Sequence, residues 1–147
     1  MTSFRHILVP VDFEPPSKRA LEVAIDLALK FEATLTLVHA WDTPYLYASM
    51  PYVPADVWSA LEEAAKRQLD DTLAEVSPRL ARAEAMLVRG PAASEILAAI
   101  ERARVDLVVM GTHGRRGLNR FLLGSVAERI VRGSSVPVLT VRGSDES

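Results

Sequence analysis

From Met110 to Ser125 the chain reads MGTHGRRGLNRFLLGS, with glycine at 111, 114, 117 and 124 and Ser125 directly after the last. These residue types suit an anion. Glycine carries no Cβ, so its backbone can approach a ligand closely and can turn with a positive φ. A Gly124–Ser125 pair opening a helix offers free N–H groups at the positive end of the helix dipole. The Ser125 hydroxyl suits an N-cap or a phosphate oxygen. Arg115, Arg116 and Arg120 add positive charge between the glycines. From Gly111 to Arg142 there are six arginines and one acid, Glu128, in a chain of net charge −2. A basic zone in an acidic protein points to a local anionic partner and argues against general nucleic-acid binding. Taken singly, Gly111 reads as a strand terminator and Ser125 as a helix cap; taken together with the basic loop they favour a phosphate site.

Several phosphate-binding patterns are excluded. No G-x-x-x-x-G-K-[ST] string exists, and no G-x-G-x-x-G follows the first apolar run. The first loop, DFEPPSK, lacks the glycines of a flavodoxin-like cradle. A phospho-acceptor aspartate is missing after the third strand, where the chain reads LVRG. What remains is Gly111-x2-Gly114-x9-Gly124-Ser125. Cysteine is absent, so disulfide and thiolate chemistry are excluded. No His and carboxylate set has metal-ligand spacing. His113 reads either as a phosphate donor or as a solvent-facing loop residue. His39 reads as a structural histidine, and His6 as an exposed one.

The elements that must hold these residues follow from periodicity. HILVPVDF (6–13) is a short β-branched apolar run, the pattern of a buried strand. Pro15, Pro16 and Ser17 open a helix whose face is Leu21, Ala24, Ile25, Ala28 and Leu29. Ala33 to Ala40 is a second strand. Trp41 to Pro54, with three prolines and all three tyrosines, is a long loop. It reads as a lid, an assembly surface, or a loop packed back on the domain. A stripe of Val57, Leu61, Ala65, Leu69, Leu73, Val76 and Leu80 marks a helix that Pro78 ends or kinks. Glu84 to Gly90 is a third strand. The next helix buries Ile96, Leu97 and Ile100. Val105 to Gly111, Ser125 to Gly133 and Val136 to Val141 complete the series as strand, helix and strand.

Strands alternating with helices give an α/β fold: an open five-stranded parallel sheet covered on both faces. Ligands of such sheets bind beyond the carboxyl ends of the strands. Asp12, His39 and the glycine stretch all stand at those ends. The 147 residues predict a single domain, 1–147, with an ordered core of about 4–142. The apolar runs are too short to span a bilayer, and the N-terminus does not read as a secretory signal. A cytoplasmic location with no membrane partner is the resulting expectation.

The glycine pattern after VDLVVM, followed by VAERIVRGSSVPVLTVR, resembles the nucleotide-binding branch of the universal stress protein family, as does HILVPVDFEPPSKRALEVAIDLA near the start. The resemblance covers Phe4 to Arg142 and is weakest across Trp41 to Glu84. It implies a Rossmann-like fold of the adenine nucleotide alpha hydrolase-like type, strand order 3-2-1-4-5, and binding of ATP or another adenine nucleotide, with or without Mg²⁺. Asp12 matches the acid near ribose and phosphates, where it could meet Mg²⁺ through the phosphates. Pro10, Val11 and Phe13 would wall the pocket beside it. Ala40 matches a backbone contact to adenine, and Met110 and Gly111 the ribose-side wall. Gly114, Gly124, Ser125 and Val126 match the triphosphate cradle, with Arg115 charged beside them. Dimers would form through the last strand, Val136 to Val141, whose edge is otherwise open. Glu14 departs from the family, which often has a small hydroxyl residue there. A second carboxylate pointing inward would repel phosphate.

The expected function is that of an ATP-binding, nucleotide-dependent stress-response sensor or signalling module, in which binding rather than turnover does the work. Alternatives are a slow ATPase or phosphotransferase, and a nucleotide-independent dimeric assembly module. No catalytic residue is assigned: there is no P-loop lysine and no evident base for the γ-phosphate.

Overall fold

The computed structural model describes residues 3–42, 47, 49–112 and 123–143. Within them the chain runs β1 (His6–Pro10), α1 (Pro15–Phe31), β2 (Thr34–Trp41), α2 (Ala55–Val76), β3 (Ala83–Arg89), α3 (Ala92–Ala103), β4 (Leu107–Gly111), α4 (Ser125–Gly133) and β5 (Val138–Val141). The five strands form one parallel sheet in the order β3-β2-β1-β4-β5. The order reverses direction at β1, between β2 and β4, so that connections leave to opposite faces there.

Alternation along the strands sends side chains to two cores. On one face Ile7, Val9, Leu35, Leu37 and Val109 meet Ala24, Ile25 and Ala28 of α1 and Leu69 and Val76 of α2. On the other, Leu8, Val38, Val108 and Met110 meet Ile96 and Ile100 of α3 and Ala127 and Ile130 of α4. Strands buried on both faces explain why β1 and β4 are unbroken apolar runs.

Element boundaries shift where backbone chemistry intervenes. β5 begins at Val138 rather than Val136 because Ser134 closes a turn on Val136, its Oγ accepting the Val136 N–H, and Pro137 has no N–H to give. β2 extends to Trp41, which is buried, and its ring meets Trp58 of α2 at 6.1 Å. Arg89, at the end of β3, lays its guanidinium 3.9 Å from the Trp58 ring centroid. The start of the aromatic stretch is thus held at Trp41, while 43–46 and 48 lie outside the described residues. α2 stops at Val76, ahead of Pro78, as expected. Leu29 departs from the expected buried face: it is 53% exposed. The α1 stripe centres on Ala24 and Ala28, and 100° per residue carries position 29 past its edge.

Candidate functional site

A cavity of about 330 Å³ opens beyond the carboxyl ends of β1, β2 and β4. That lies within the range of small-molecule pockets. Of the residues singled out in the sequence, Pro10, Val11, Asp12, Ala40, Met110, Gly111, Gly124, Ser125 and Val126 all line it. Gly114 and Arg115 fall outside the described residues, as do His113, Arg116, Gly117 and Arg120. Phe13 does not line the cavity. It turns with φ 67°, a conformation that a bulky side chain rarely adopts, and its ring packs 4.6 Å from that of His39 on the α1 face. Glu14 is exposed and is not among the lining residues, so it brings no second carboxylate to the cavity wall.

The β1–α1 loop that carries Asp12 is fixed by a set of hydrogen bonds. The Val11 N–H donates to the Val38 carbonyl at 2.8 Å. His39 Nδ1 lies 2.8 Å from the Val11 carbonyl. A carbonyl only accepts, so Nδ1 carries the proton. The Asp12 N–H donates to Ser17 Oγ at 3.0 Å, and Asp12 Oδ1 accepts the Glu14 N–H at 2.9 Å. His39 is thus structural, as the sequence suggests, and its structural task is to hold a cavity loop.

Two helices begin at this cavity. α1 starts with Pro15 and Pro16, which have no N–H groups to offer. α4 starts at Ser125, with Gly124 as its N-cap at φ −65° and ψ 160° and no side-chain cap. Ser125 is therefore the first helical residue and not the cap that its hydroxyl suggested. The first helical bond is the Glu128 N–H to the Gly124 carbonyl. The amides of Ser125, Val126 and Ala127 have no acceptor within the helix, and all three residues line the cavity. Gly124 is itself held, its N–H donating to the Thr112 carbonyl at 2.9 Å while the Thr112 N–H donates to Val141 of β5 at 3.1 Å. These bonds tie the start of α4 to the sheet.

Gly111 serves a purpose that its sequence position did not disclose. A Cβ placed on it would sit 2.7 Å from the Pro16 carbonyl carbon and 2.8 Å from its oxygen. The clearance is needed first by the start of α1. His39, placed at a strand end by the sequence and read as structural, lines the cavity too, and the remaining lining residues carried no site assignment: Pro16, Ser17, Val38, Ala92, Ile96, Thr112 and Ala127. Val38, Ile96 and Ala127 are apolar core positions that become walls only once the strand order is known. Ser17 carried a faint signal, a hydroxyl five positions after Asp12 in a stretch otherwise closed by prolines.

The cavity thus has an apolar side of Val38, Ala40, Ile96 and Met110, an amide-rich end at α4, and a carboxylate at Asp12. It can hold a flat apolar group, an anion and a hydroxyl-bearing group at separate places. Among the described residues no group of three or more His, Asp or Glu side chains could hold a metal ion. A cation meeting Asp12 would need other ligands, such as phosphate oxygens. Among the described residues no helix is long and apolar enough to cross a membrane.

Comparison with known proteins agrees with this architecture. Residues 3–142 match the model of the universal stress protein family. A universal stress protein of Methanocaldococcus jannaschii is 32% identical over 146 residues, covering 95% of this chain and 82% of that protein. The crystal structure of a universal stress protein family member from Burkholderia pseudomallei is 30% identical and superposes with a TM-score of 0.73 over 92% of this chain and 94% of that one. An Arabidopsis thaliana family member, solved with AMP bound, shares the fold at 19% identity and a TM-score of 0.68, covering 97% of this chain and 94% of that one. The chain belongs to the universal stress protein family.

Proposed function

We propose that this protein binds ATP or another adenine nucleotide in the cavity and acts as a nucleotide-dependent stress-response sensor or signalling module. The observation that carries this reading is the start of α4: three cavity-lining residues whose first-turn amides have no acceptor among the described residues, behind a glycine cap with no side chain. Such a terminus favours phosphate. The apolar side formed by Val38, Ala40 and Met110 suits a base. Asp12 suits the ribose, and meets Mg²⁺ only where phosphates supply further oxygens. AMP in the Arabidopsis relative supports the choice of an adenine nucleotide. Gly114, as a motif glycine, and Arg115, as the charge next to it in sequence, are proposed nucleotide-binding residues on the sequence alone.

The proposed role is one of binding rather than turnover, with the α4 amides and Asp12 acting as contacts to the nucleotide. Nucleotide would change the surface around the cavity and so alter what a protein partner meets. Homodimerisation through β5 fits this role. β5 is an edge strand, and Leu139 on it and Val131 of α4 are 41% and 44% exposed. Calorimetric titration with ATP, ADP and AMP tests the function. Saturable binding is expected, and no heat with any of the three at millimolar concentration refutes it.

A further inference from the structure

Ser17 is 5% exposed and lines the cavity. Its Oγ accepts the Asp12 N–H at 3.0 Å, yet its own hydroxyl hydrogen has no acceptor among the described residues. A buried hydroxyl left without an acceptor is costly unless something entering the cavity supplies one. Beside it, Asp12 uses Oδ1 for the Glu14 N–H, while Oδ2 has no partner among the described residues. One free donor and one free charged acceptor thus stand at the same end of the cavity. Phosphate without a bridging cation does not suit this end: Asp12 repels it, and Pro15 and Pro16 offer no amides. A flat base suits the apolar side instead. A hydroxyl group both donates and accepts, so it satisfies both positions at once.

We propose that Ser17 is a ligand-binding residue that, with Asp12 Oδ2, reads a ribose hydroxyl: the hydroxyl donates to Asp12 and accepts from Ser17. The cavity therefore selects ribonucleotides over their deoxy counterparts. This rests on the adenine-nucleotide reading above. The test is calorimetric titration of the full chain and of Ser17→Ala with ATP, 2′-deoxy-ATP and 3′-deoxy-ATP, with thermal melting of each protein. The unaltered protein should bind one deoxynucleotide about tenfold more weakly than ATP, the effect of one hydrogen bond to a charged group. Ser17→Ala should lose a similar factor for ATP and little for that deoxynucleotide. Equal weakening of all three ligands in Ser17→Ala would show that Ser17 acts only by holding the Asp12 amide, and overturns the proposal. Equal affinity of the unaltered protein for all three also overturns it, and that comparison needs no variant to fold. An unaltered protein that binds none of the three overturns the adenine-nucleotide reading and this inference with it.

Discussion

The two helices that begin at the cavity, α1 and α4, are built in opposite ways. Neither has a side-chain cap. α1 follows Asp12 and Glu14 and opens on two prolines, so its first turn is poor in amides and rich in carboxylates nearby. α4 follows a glycine and opens on Ser125, Val126 and Ala127, with no acid before Glu128. The same dipole therefore yields different chemistry. At α4 it is presented bare to the cavity. At α1 it faces carboxylates and gives prominence to Asp12 and Ser17. A ligand with an anionic end and a hydroxyl-bearing middle has one orientation that satisfies both starts. Helix termini become sites through what the flanking residues add or remove.

The largest effect should come from removing access to the α4 start. Gly124 has φ −65° and ψ 160°, which valine adopts without strain, so Gly124→Val should fold normally. Its side chain would stand where an anion must approach the amides. A loss of about a hundredfold or more in nucleotide affinity, about 2.7 kcal/mol, is expected by calorimetry, and retained affinity would erase the distinction between the two helices.

At the α1 end, the sharper test is stability. In Gly111→Ala the new methyl would meet the Pro16 backbone, which cannot swing aside as a flexible side chain can. Overpacking of this kind costs about 1–3 kcal/mol, read as a lower melting temperature without ligand. An unchanged melting temperature would mean that α1 does not depend on that contact.

Ser125→Asp separates fold from ligand. A carboxylate in the first turn should leave stability unchanged or raise it by about 0.3–1 kcal/mol. The same charge should weaken nucleotide binding about tenfold, about 1.4 kcal/mol. Improved binding would place the anionic group elsewhere.

The smallest effect lies away from the cavity. Arg79 donates two hydrogen bonds to the Glu22 carboxylate, at 2.8 and 2.9 Å, joining α1 to the turn after α2. Those hydrogen bonds, and then the arginine charge, hold the Glu22 carboxyl below the usual glutamate range. A lowered folded-state pKa stabilises above the unfolded value, and that contribution is lost as pH falls through the folded value. Both side chains are largely exposed, so solvent screening keeps the contribution small. Arg79→Met should lower the melting temperature slightly at pH 7 and not at pH 3. An equal shift at both would assign the effect to packing.

The order of elements was legible in the sequence because periodicity is local. α4 was bounded at Ser125 and Gly133 from its own residues, while β1 and β4 were found from their apolar runs but proved shorter, ending at Pro10 and beginning at Leu107. About half of the cavity lining was legible for the same reason: glycine spacing and an acid after a strand are written along the chain. What was not legible depends on distant partners. Gly111 meets Pro16, 95 positions away in sequence. Phe13 is not among the cavity-lining residues and packs its ring against that of His39 on β2. Ser17 looked like an ordinary helix-opening serine until the Asp12 amide took its oxygen and left its hydrogen over. Leu29 lies at a stripe edge, where an apolar residue fits either side.

The central claim, that the start of α4 receives the phosphates, is tested most directly by amide chemical shifts during titration with ATP and with adenosine. The Ser125, Val126 and Ala127 amides should move strongly with ATP and little with adenosine, while Ala40 and Met110 should move with both. Equal displacement of the α4 amides by the two ligands, or none with ATP, would contradict it.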